Sequence, residues 1–212
     1  MKRIDFPLLV VVSLFALLLQ GCIEMAVVGA GTAMLSSVDR RTTGVQVDDE
    51  GIELRASNRV SERFGDKVHV NITSFNRSVL VTGEVPDANV KAEIEKLIQG
   101  VQGLRGVTND LQVAGGASLT SRAGDATITG KVKARLFDSG KVNPVHVRVV
   151  TEASVVYLLG IVTEAEAGVA VEVARTPGGV RKVVKVFEYC KPTDAVCAPP
   201  KPKAEEPKKK ES

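Results

Sequence analysis

The chain alternates apolar and polar positions in short runs, and it does so twice in the same order. Val68-His69-Val70 returns as Val145-His146-Val147, and a glycine follows each histidine fourteen residues later, at Gly83 and Gly160. Repetition at a fixed period indicates repeated structural units. The sequence therefore predicts two tandem modules, over residues 50–113 and 125–189.

Each module predicts the same succession of elements. In the first, Ile52, Ala56 and Val60 recur at the i, i+4 spacing of a helix, and residues 68–73 then alternate as a half-buried strand does. A second strand, a second helix and a last strand follow. The order is α-β-β-α-β, which predicts an α+β fold with a three-stranded sheet and two helices on one face of each sheet.

Local signals place the turns and helix starts. Asn76-Arg77 and residues 152–154 predict the turns between the first two strands, and each second strand is predicted to end at its glycine. Pro86 precedes the second helix of module one. Thr163 and Glu166 form a capping-box pattern at the second helix of module two.

The N-terminus has the features of an export signal. Lys2 and Arg3 precede an apolar stretch, residues 8–19, that is shorter than the roughly 20 residues needed to span a bilayer. Leu19-Gln20-Gly21-Cys22 resembles the bacterial lipobox, which implies that residues 1–21 are removed and that Cys22 is lipidated. Ile23 follows Cys22 where inner-membrane lipoproteins carry Asp, so outer-membrane delivery is expected. The alternatives are a simple signal peptide or an uncut anchor helix.

The remaining segments connect or follow the modules. Residues 22–49 are predicted as a flexible tether, residues 114–124 as a linker, and residues 190–212, rich in Pro, Lys and Glu, as a disordered tail. An oxidising compartment favours a disulfide between Cys190 and Cys197.

The doubled order, the strand glycines and the later Gly106-Val107 and Gly179-Val180 pairs resemble the BON domain, over residues 50–189. Two such modules behind a lipobox are similar to the dual-BON outer-membrane lipoproteins of Gram-negative bacteria. The resemblance implies a lipid-anchored protein that faces the periplasm, binds anionic phospholipid through its second module and supports envelope integrity.

Composition and chemistry exclude several other classes. The net charge is +3 for the whole chain, and Lys-rich residues after 190 contribute to it, so the modules are nearly neutral and nucleic-acid binding is not expected. No nucleophile-elbow, phosphate-loop or metal-ligand pattern is present, so no enzyme activity, cofactor or metal is predicted. The two histidines, His69 and His146, are expected to be partly exposed strand residues.

The first helices of the two modules differ in charge. Residues 52–67 carry four cations against three acids, whereas residues 128–141 carry four cations against Asp138 alone. Phe137 follows Lys133 at i, i+4 spacing, and a basic helix that shows an aromatic side chain can lie in an anionic headgroup layer. The alternative interpretation is an ordinary solvated helix with Phe137 packed on a neighbour.

The resemblance extends this hypothesis to particular positions. By position it implies a phospholipid-binding surface in the second module, formed by Thr127, Ile128, Lys131, Lys133, Arg135 and Phe137. Relatives can carry a large aromatic at the position of Thr127, so shallower insertion is implied unless Phe137 compensates. The competing hypothesis is a periplasmic interaction scaffold or chaperone-like factor that meets the outer-membrane protein assembly machinery. A small hydrolase would require a catalytic group assembled across modules.

Overall fold

The computed structural model describes residues 39–114 and 119–198. The leader, Cys22 and most of the expected tether lie outside the described residues, as does the tail from residue 199. None of the described helices is long and apolar enough to cross a bilayer.

The first module has the predicted order of elements. Helix α1 begins upstream of the expected boundary at residue 50, where the Thr42 side chain accepts a hydrogen bond from the Val45 amide. Strand β2 is central, antiparallel to β1 and parallel to the last strand, which Leu111 divides in two as its side chain turns into the core. The elements are α1 (Thr43–Phe64), β1 (His69–Phe75), β2 (Ser78–Val85), α2 (Ala88–Gln99), β3 (Gly106–Asn109) and β4 (Gln112–Val113).

The second module repeats this architecture with an undivided last strand. The predicted capping box is confirmed, since Thr163 and Glu166 each bond the other's backbone amide at the start of the second helix. The first helix covers residues 119–124, which were assigned to the linker. The elements are α3 (Leu119–Ser139), β5 (Val147–Glu152), β6 (Val155–Val162), α4 (Glu164–Ala174) and β7 (Lys182–Tyr189). The α+β fold with two helices on one face of each sheet is confirmed.

The two strand glycines are required by a close backbone approach. The sequence predicted that strands β2 and β6 end at Gly83 and Gly160. In the structure they continue to Val85 and Val162. A Cβ atom at Gly83 would lie 2.0 Å from the carbonyl oxygen of His69, and one at Gly160 would lie 2.3 Å from that of His146. Glycine therefore lets each central strand lie against its antiparallel neighbour.

A buried aspartate holds the first turn of each module. In module one, Asp49 on α1 accepts hydrogen bonds from the backbone amides of Asn76 and Arg77, whose φ angles are 52° and 64°. In module two, Asp125 on α3 accepts from Ala153 and Ser154, which are also left-handed. Each aspartate satisfies two amides that the strand ladder leaves unpaired.

A third core lies between the modules, on the sheet faces that carry no helix. Leu80 and Phe75 of module one pack there with Tyr157, Leu159 and Ile161 of module two. All five side chains are less than a tenth exposed. The modules therefore share a hydrophobic core and form one compact unit.

Polar contacts surround this shared core. Asn76 Nδ2 donates to Glu188 Oε2 at 2.8 Å, and the Tyr157 hydroxyl donates to Asp110 Oδ2 at 2.8 Å. Burial and the contact with the Asp110 carboxylate raise the pKa of Tyr157, so its phenol stays protonated. These pairs fix the register of one module against the other.

The start of the assigned tail closes one side of the shared core. Cys190 and Cys197 are joined by a disulfide with a Cα–Cα distance of 6.2 Å. Cys197 is only 5% exposed and packs among the residues of the third core. Residues 190–198 thus belong to the folded unit, although they were expected to be part of a disordered tail.

The segment before α1 is tied to the second module through Arg40. Its guanidinium forms a bidentate pair with Glu166 at 2.8 and 2.9 Å and donates to the Ile161 carbonyl oxygen at 2.8 Å. Burial opposes ionisation of Glu166, but hydrogen bonds from Arg40 and Thr163 outweigh it and lower its pKa to about 2.

This pair makes stability depend on pH in a definite window. Because the pKa of Glu166 is lowered on folding, its contribution is fully present above its ordinary value of 4.5 and is lost as the pH falls through about 2. We expect Arg40→Ala to raise the pKa of Glu166 toward that ordinary value. Carboxyl carbon chemical shifts followed during an NMR pH titration would measure it. An unchanged midpoint would show that the Thr163 bonds alone suffice.

Candidate surface on the first helix of module two

Helix α3 buries one stripe and leaves the opposite face in solvent. Ile128, Val132 and Leu136 enter the core of module two, where they pack against both the sheet and α4. These three residues share a stripe because residues at i and i+4 lie on one face, and the positions on either side of that stripe are exposed. The outward face therefore carries the other residues of the expected lipid-binding surface.

Ile128 does not belong to that surface. Its side chain is only 6% exposed, because it lies on the same stripe as Val132 and Leu136 and contacts the interior. A side chain held in the core cannot reach a headgroup layer. The candidate surface thus retains five members, hereafter called the α3 surface: Thr127, Lys131, Lys133, Arg135 and Phe137.

The cations of the α3 surface are exposed and weakly engaged. Arg135 donates to the Thr176 hydroxyl at 2.5 Å, a contact that leaves its charge uncompensated. Within the part of the chain that the structure describes, Lys131 and Lys133 form no ion pair. The positive charge is therefore available to an external anion.

Phe137 is the most exposed large apolar side chain among the described residues, at 73%. The part of the alternative interpretation that packs Phe137 on a neighbour is therefore wrong, while an ordinary solvated helix stays an alternative to lipid binding. The Thr127 hydroxyl donates a hydrogen bond to the Ala123 carbonyl oxygen at 2.9 Å, within its own helix. Of the three cations, Lys133 lies one turn before Phe137 on the same side of the helix, so the α3 surface presents an aromatic ring with a cation beside it.

The equivalent helix of module one lacks this combination. Ser57 and Ser61 of α1 stand where α3 has Lys133 and Phe137. Two α1 cations are also engaged within their own module, since Arg63 pairs with Glu93 at 2.6 Å and Arg59 donates to the Leu97 carbonyl oxygen at 3.3 Å. The charge difference seen in the sequence is thus enlarged by the folded structure.

A groove borders the α3 surface on the side of module one. It has a volume of about 470 Å³, with Lys133, Arg41 and Arg148 at its rim and Phe75 among its apolar lining residues. Arg148 is also paired with Glu53 at 3.0 Å. Arg41 is paired with Asp49 at 2.8 Å, so both arginines of the groove have carboxylate partners, whereas Lys133 forms no ion pair within the described residues.

His69 is the first residue of β1, as expected, whereas His146 lies in a 3-10 turn, Pro144–His146, just before β5 and not in the predicted strand. His69 Nε2 is 3.8 Å from a carboxylate oxygen of Glu152, and His146 Nδ1 is 3.7 Å from one of Glu166. Neither contact is visible in the sequence, because each joins chain segments that are distant in sequence. The His69 cluster crosses from one module to the other.

Comparison with known proteins agrees with the architecture. The BON domain model matches residues 42–115 and 124–191. The chain belongs to the BON family and contains two copies of the domain. The first matched range includes the complete first helix of its module, from Thr43, whereas the second begins within the helix Leu119–Ser139, at residue 124.

Similar proteins share the arrangement along most of their length. The chain is 38% identical to Outer membrane lipoprotein DolP of Haemophilus influenzae, over 81% of this chain and 90% of that protein. It is 32% identical to a 21 kDa hemolysin of Actinobacillus pleuropneumoniae, over 72% of this chain and 79% of that protein. It is 28% identical to Osmotically-inducible protein Y of Escherichia coli, over 73% of this chain and 78% of that protein. The chain is therefore a DolP-like dual-BON protein.

Proposed function

We propose that this protein is a lipid-anchored, non-enzymatic factor of the outer membrane that binds anionic phospholipid through the α3 surface and thereby supports envelope integrity. The observation that carries the proposal is the pairing, on one side of α3, of a 73% exposed Phe137 with Lys133, which has no ion pair among the described residues. The equivalent helix in the other module lacks this pairing. The periplasm is the compartment that its modules face.

Two further features support the location. The lipobox-like run that ends at Cys22 would supply acyl chains as a first membrane signal. The relative DolP is named an outer membrane lipoprotein, and it shares 38% identity over 90% of its length. With the anchor in place, the α3 surface needs only enough affinity to orient the second module on anionic lipid.

Charge and insertion set the expected strength of the contact. Each cation near an anionic surface contributes about 1 kcal/mol, so reversing Lys133 to Glu should cost about 2 kcal/mol, or roughly 30-fold in the partition coefficient. Placing a carboxylate at position 137 removes the apolar insertion and adds repulsion. The electrostatic part of the loss in each variant should be smaller at high salt, because exposed charges are screened.

Flotation on phosphatidylglycerol vesicles tests the proposal. The mature-length chain with Cys22→Ser, made without its leader, removes the contribution of the acyl anchor. We expect the unmodified surface to float, Lys133→Glu to reduce binding roughly 30-fold, and Phe137→Glu to reduce it by about tenfold or more. Vesicles of neutral phosphatidylcholine should bind much less of the unmodified chain.

Leu54→Glu provides the matched control. Leu54 lies on α1 and is 63% exposed, so the substitution adds the same charge at a comparably exposed apolar position of the first module. Flotation should be nearly unchanged. Equal losses for Leu54→Glu and Phe137→Glu would contradict a surface confined to α3. Absence of binding by the chain with its surface intact would favour the interaction scaffold that meets the outer-membrane protein assembly machinery.

A further inference from the structure

Three side chains with metal-ligating atoms meet between the two modules. His69 and Glu84 are directly opposed on β1 and β2, on the sheet face that carries no helix. Glu152 reaches the same place from the end of β5 in the second module. One ligand atom of each residue lies within 4.8 Å of those of the other two.

Glu84 contributes a buried carboxylate oxygen that accepts no hydrogen bond. Its side chain is buried, with the residue only 6% exposed, and its Oε2 atom has no hydrogen-bond partner in the structure. A buried carboxylate without a partner is costly, since burial removes the solvation of its charge. A bound cation would supply the missing interaction.

Glu152 is oriented so that one oxygen stays available. Asn71 Nδ2 donates to its Oε2 at 2.5 Å, while Oε1 lies 3.8 Å from His69 Nε2. Burial raises the pKa of Glu152, and the nearby Glu84 carboxylate adds to this effect. The carboxyl groups of Glu84 and Glu152 therefore lie close together, both buried, beside the His69 imidazole.

We propose that His69, Glu84 and Glu152 form a binding site for a divalent transition-metal ion, with Zn²⁺ as the best match, that links the two modules. One imidazole nitrogen and two carboxylate oxygens are a donor set that Zn²⁺ accepts, with water as the remaining ligand. Small side-chain rotations bring the three atoms from their present spacing to bonding distance. Asn71 would act from outside the coordination sphere by holding Glu152 in place.

An ion can reach the site from solvent. A cleft of about 720 Å³ opens onto His69 and Glu84, and its lining also includes Lys67 and Arg122. These cations lie at the wall of the cleft and leave Glu84 Oε2 without a hydrogen bond. The proposal is independent of the lipid-binding proposal, since no residue of the α3 surface takes part.

The second module provides an internal comparison. His146 occupies the position equivalent to His69, but Ile161 stands where module one has Glu84. The carboxylate nearest His146 is Glu166, which is already held by the Arg40 guanidinium. Duplication therefore yielded two similar histidines, and among the residues that the structure describes only His69 lies in a cluster with two carboxylates.

Calorimetric titration with ZnCl2 tests the site. On the mature-length Cys22→Ser chain with its disulfide intact, we expect one ion per chain and a rise in melting temperature. His69→Gln should weaken binding at least about 100-fold, because changes outside the coordination sphere alone cost about 10–100-fold. Glu152→Gln, which also keeps the side-chain volume, should weaken it by about tenfold or more. Zn²⁺ should shift the ring resonances of His69 in NMR spectra and leave those of His146 in place.

His146→Gln is the matched control, and it should bind Zn²⁺ as tightly as the unmodified chain. Three results would overturn the proposal: no saturable binding by the unmodified chain, undiminished binding by His69→Gln, or equal loss in the two histidine variants. Far-ultraviolet circular dichroism of each variant keeps the outcome interpretable, since a variant with native spectrum and no binding has lost the site and kept the fold. If His69→Gln does not fold, Glu152→Gln carries the same test.

Discussion

Replacing Gly83 by alanine is expected to destabilise the protein by about 3–5 kcal/mol, enough to unfold a large fraction of molecules of ordinary stability. The added Cβ would lie 2.0 Å from the His69 carbonyl oxygen, and the backbone at Gly83 has a φ of +120°. The contact is with backbone, so β1 and β2 would have to separate. Urea denaturation of the mature-length chain, followed by circular dichroism, measures the loss.

A glycine in a helix provides the control for this effect. Gly168 of α4 is exposed, and a Cβ atom there would meet nothing within 4 Å. Gly168→Ala should raise stability by about 0.5–1 kcal/mol, because alanine favours the helix. A Gly83→Ala variant as stable as the unmodified chain would show that the two strands can separate without cost. Gly160→Ala, with its 2.3 Å approach to His146, should also be strongly destabilised.

Removal of the Asp49 carboxylate is the second large effect, with an expected loss of about 3–5 kcal/mol. Its oxygens accept from the Ser74 hydroxyl at 2.6 Å and from two turn amides, and they pair with Arg41 at 2.8 Å. Asp49→Ala removes the buried acceptor of the Ser74 hydroxyl and of the two turn amides, together with the carboxylate that pairs with Arg41. Thermal and urea denaturation should both report the loss.

Two other aspartates serve as comparisons, because their substitution by alanine should cost less stability than Asp49→Ala. Asp125 holds the equivalent turn of module two with two backbone bonds, so Asp125→Ala should cost less than Asp49→Ala, about 2–3 kcal/mol. Asp48 is a direct neighbour of Asp49, but it is exposed and pairs only with Arg77, so Asp48→Ala should cost less than about 1 kcal/mol. Equal effects for Asp48 and Asp49 would mean that the turn amides do not depend on the buried carboxylate.

The doubled pattern predicts each module well, because its signals are local. The i, i+4 stripe of Ile52, Ala56 and Val60 and the capping box at Thr163 depend only on neighbouring residues, and both appear in the structure. The starts of the first helices were harder to place. Asp49 and Asp125 occupy equivalent positions and could have marked them, but the polar residues around Asp49 resemble a tether.

The shared core left a trace in the sequence that alternation alone does not explain. Residues 157–162 of β6 are apolar without a polar partner face, which is typical of a strand buried on both sides. What covers the second face depends on where Leu80 and Phe75 of the other module come to lie. The same dependence hides the cluster of His69, Glu84 and Glu152, whose members are ordinary strand residues until the modules pack.

The α3 surface shows a second limit of prediction from the sequence. Charge counting found the difference between the two first helices, and the folded structure adds that the α1 cations have local partners. The resemblance placed Ile128 in the surface, but the i, i+4 spacing of Ile128, Val132 and Leu136 indicates a core position, and the structure buries Ile128 there. Where the two kinds of reasoning disagree about a side chain's direction, the 3.6-residue repeat is the safer guide.

The common hydrophobic layer changes what the gene duplication means. Each copy now covers the uncovered sheet of the other, with Tyr157 and Leu159 on one side and Leu80 on the other. A chain that lost either module would expose the apolar sheet face of the remaining module, and exposed apolar faces favour aggregation. The two halves have therefore become mutually dependent, and selection acts on them as a single heritable unit.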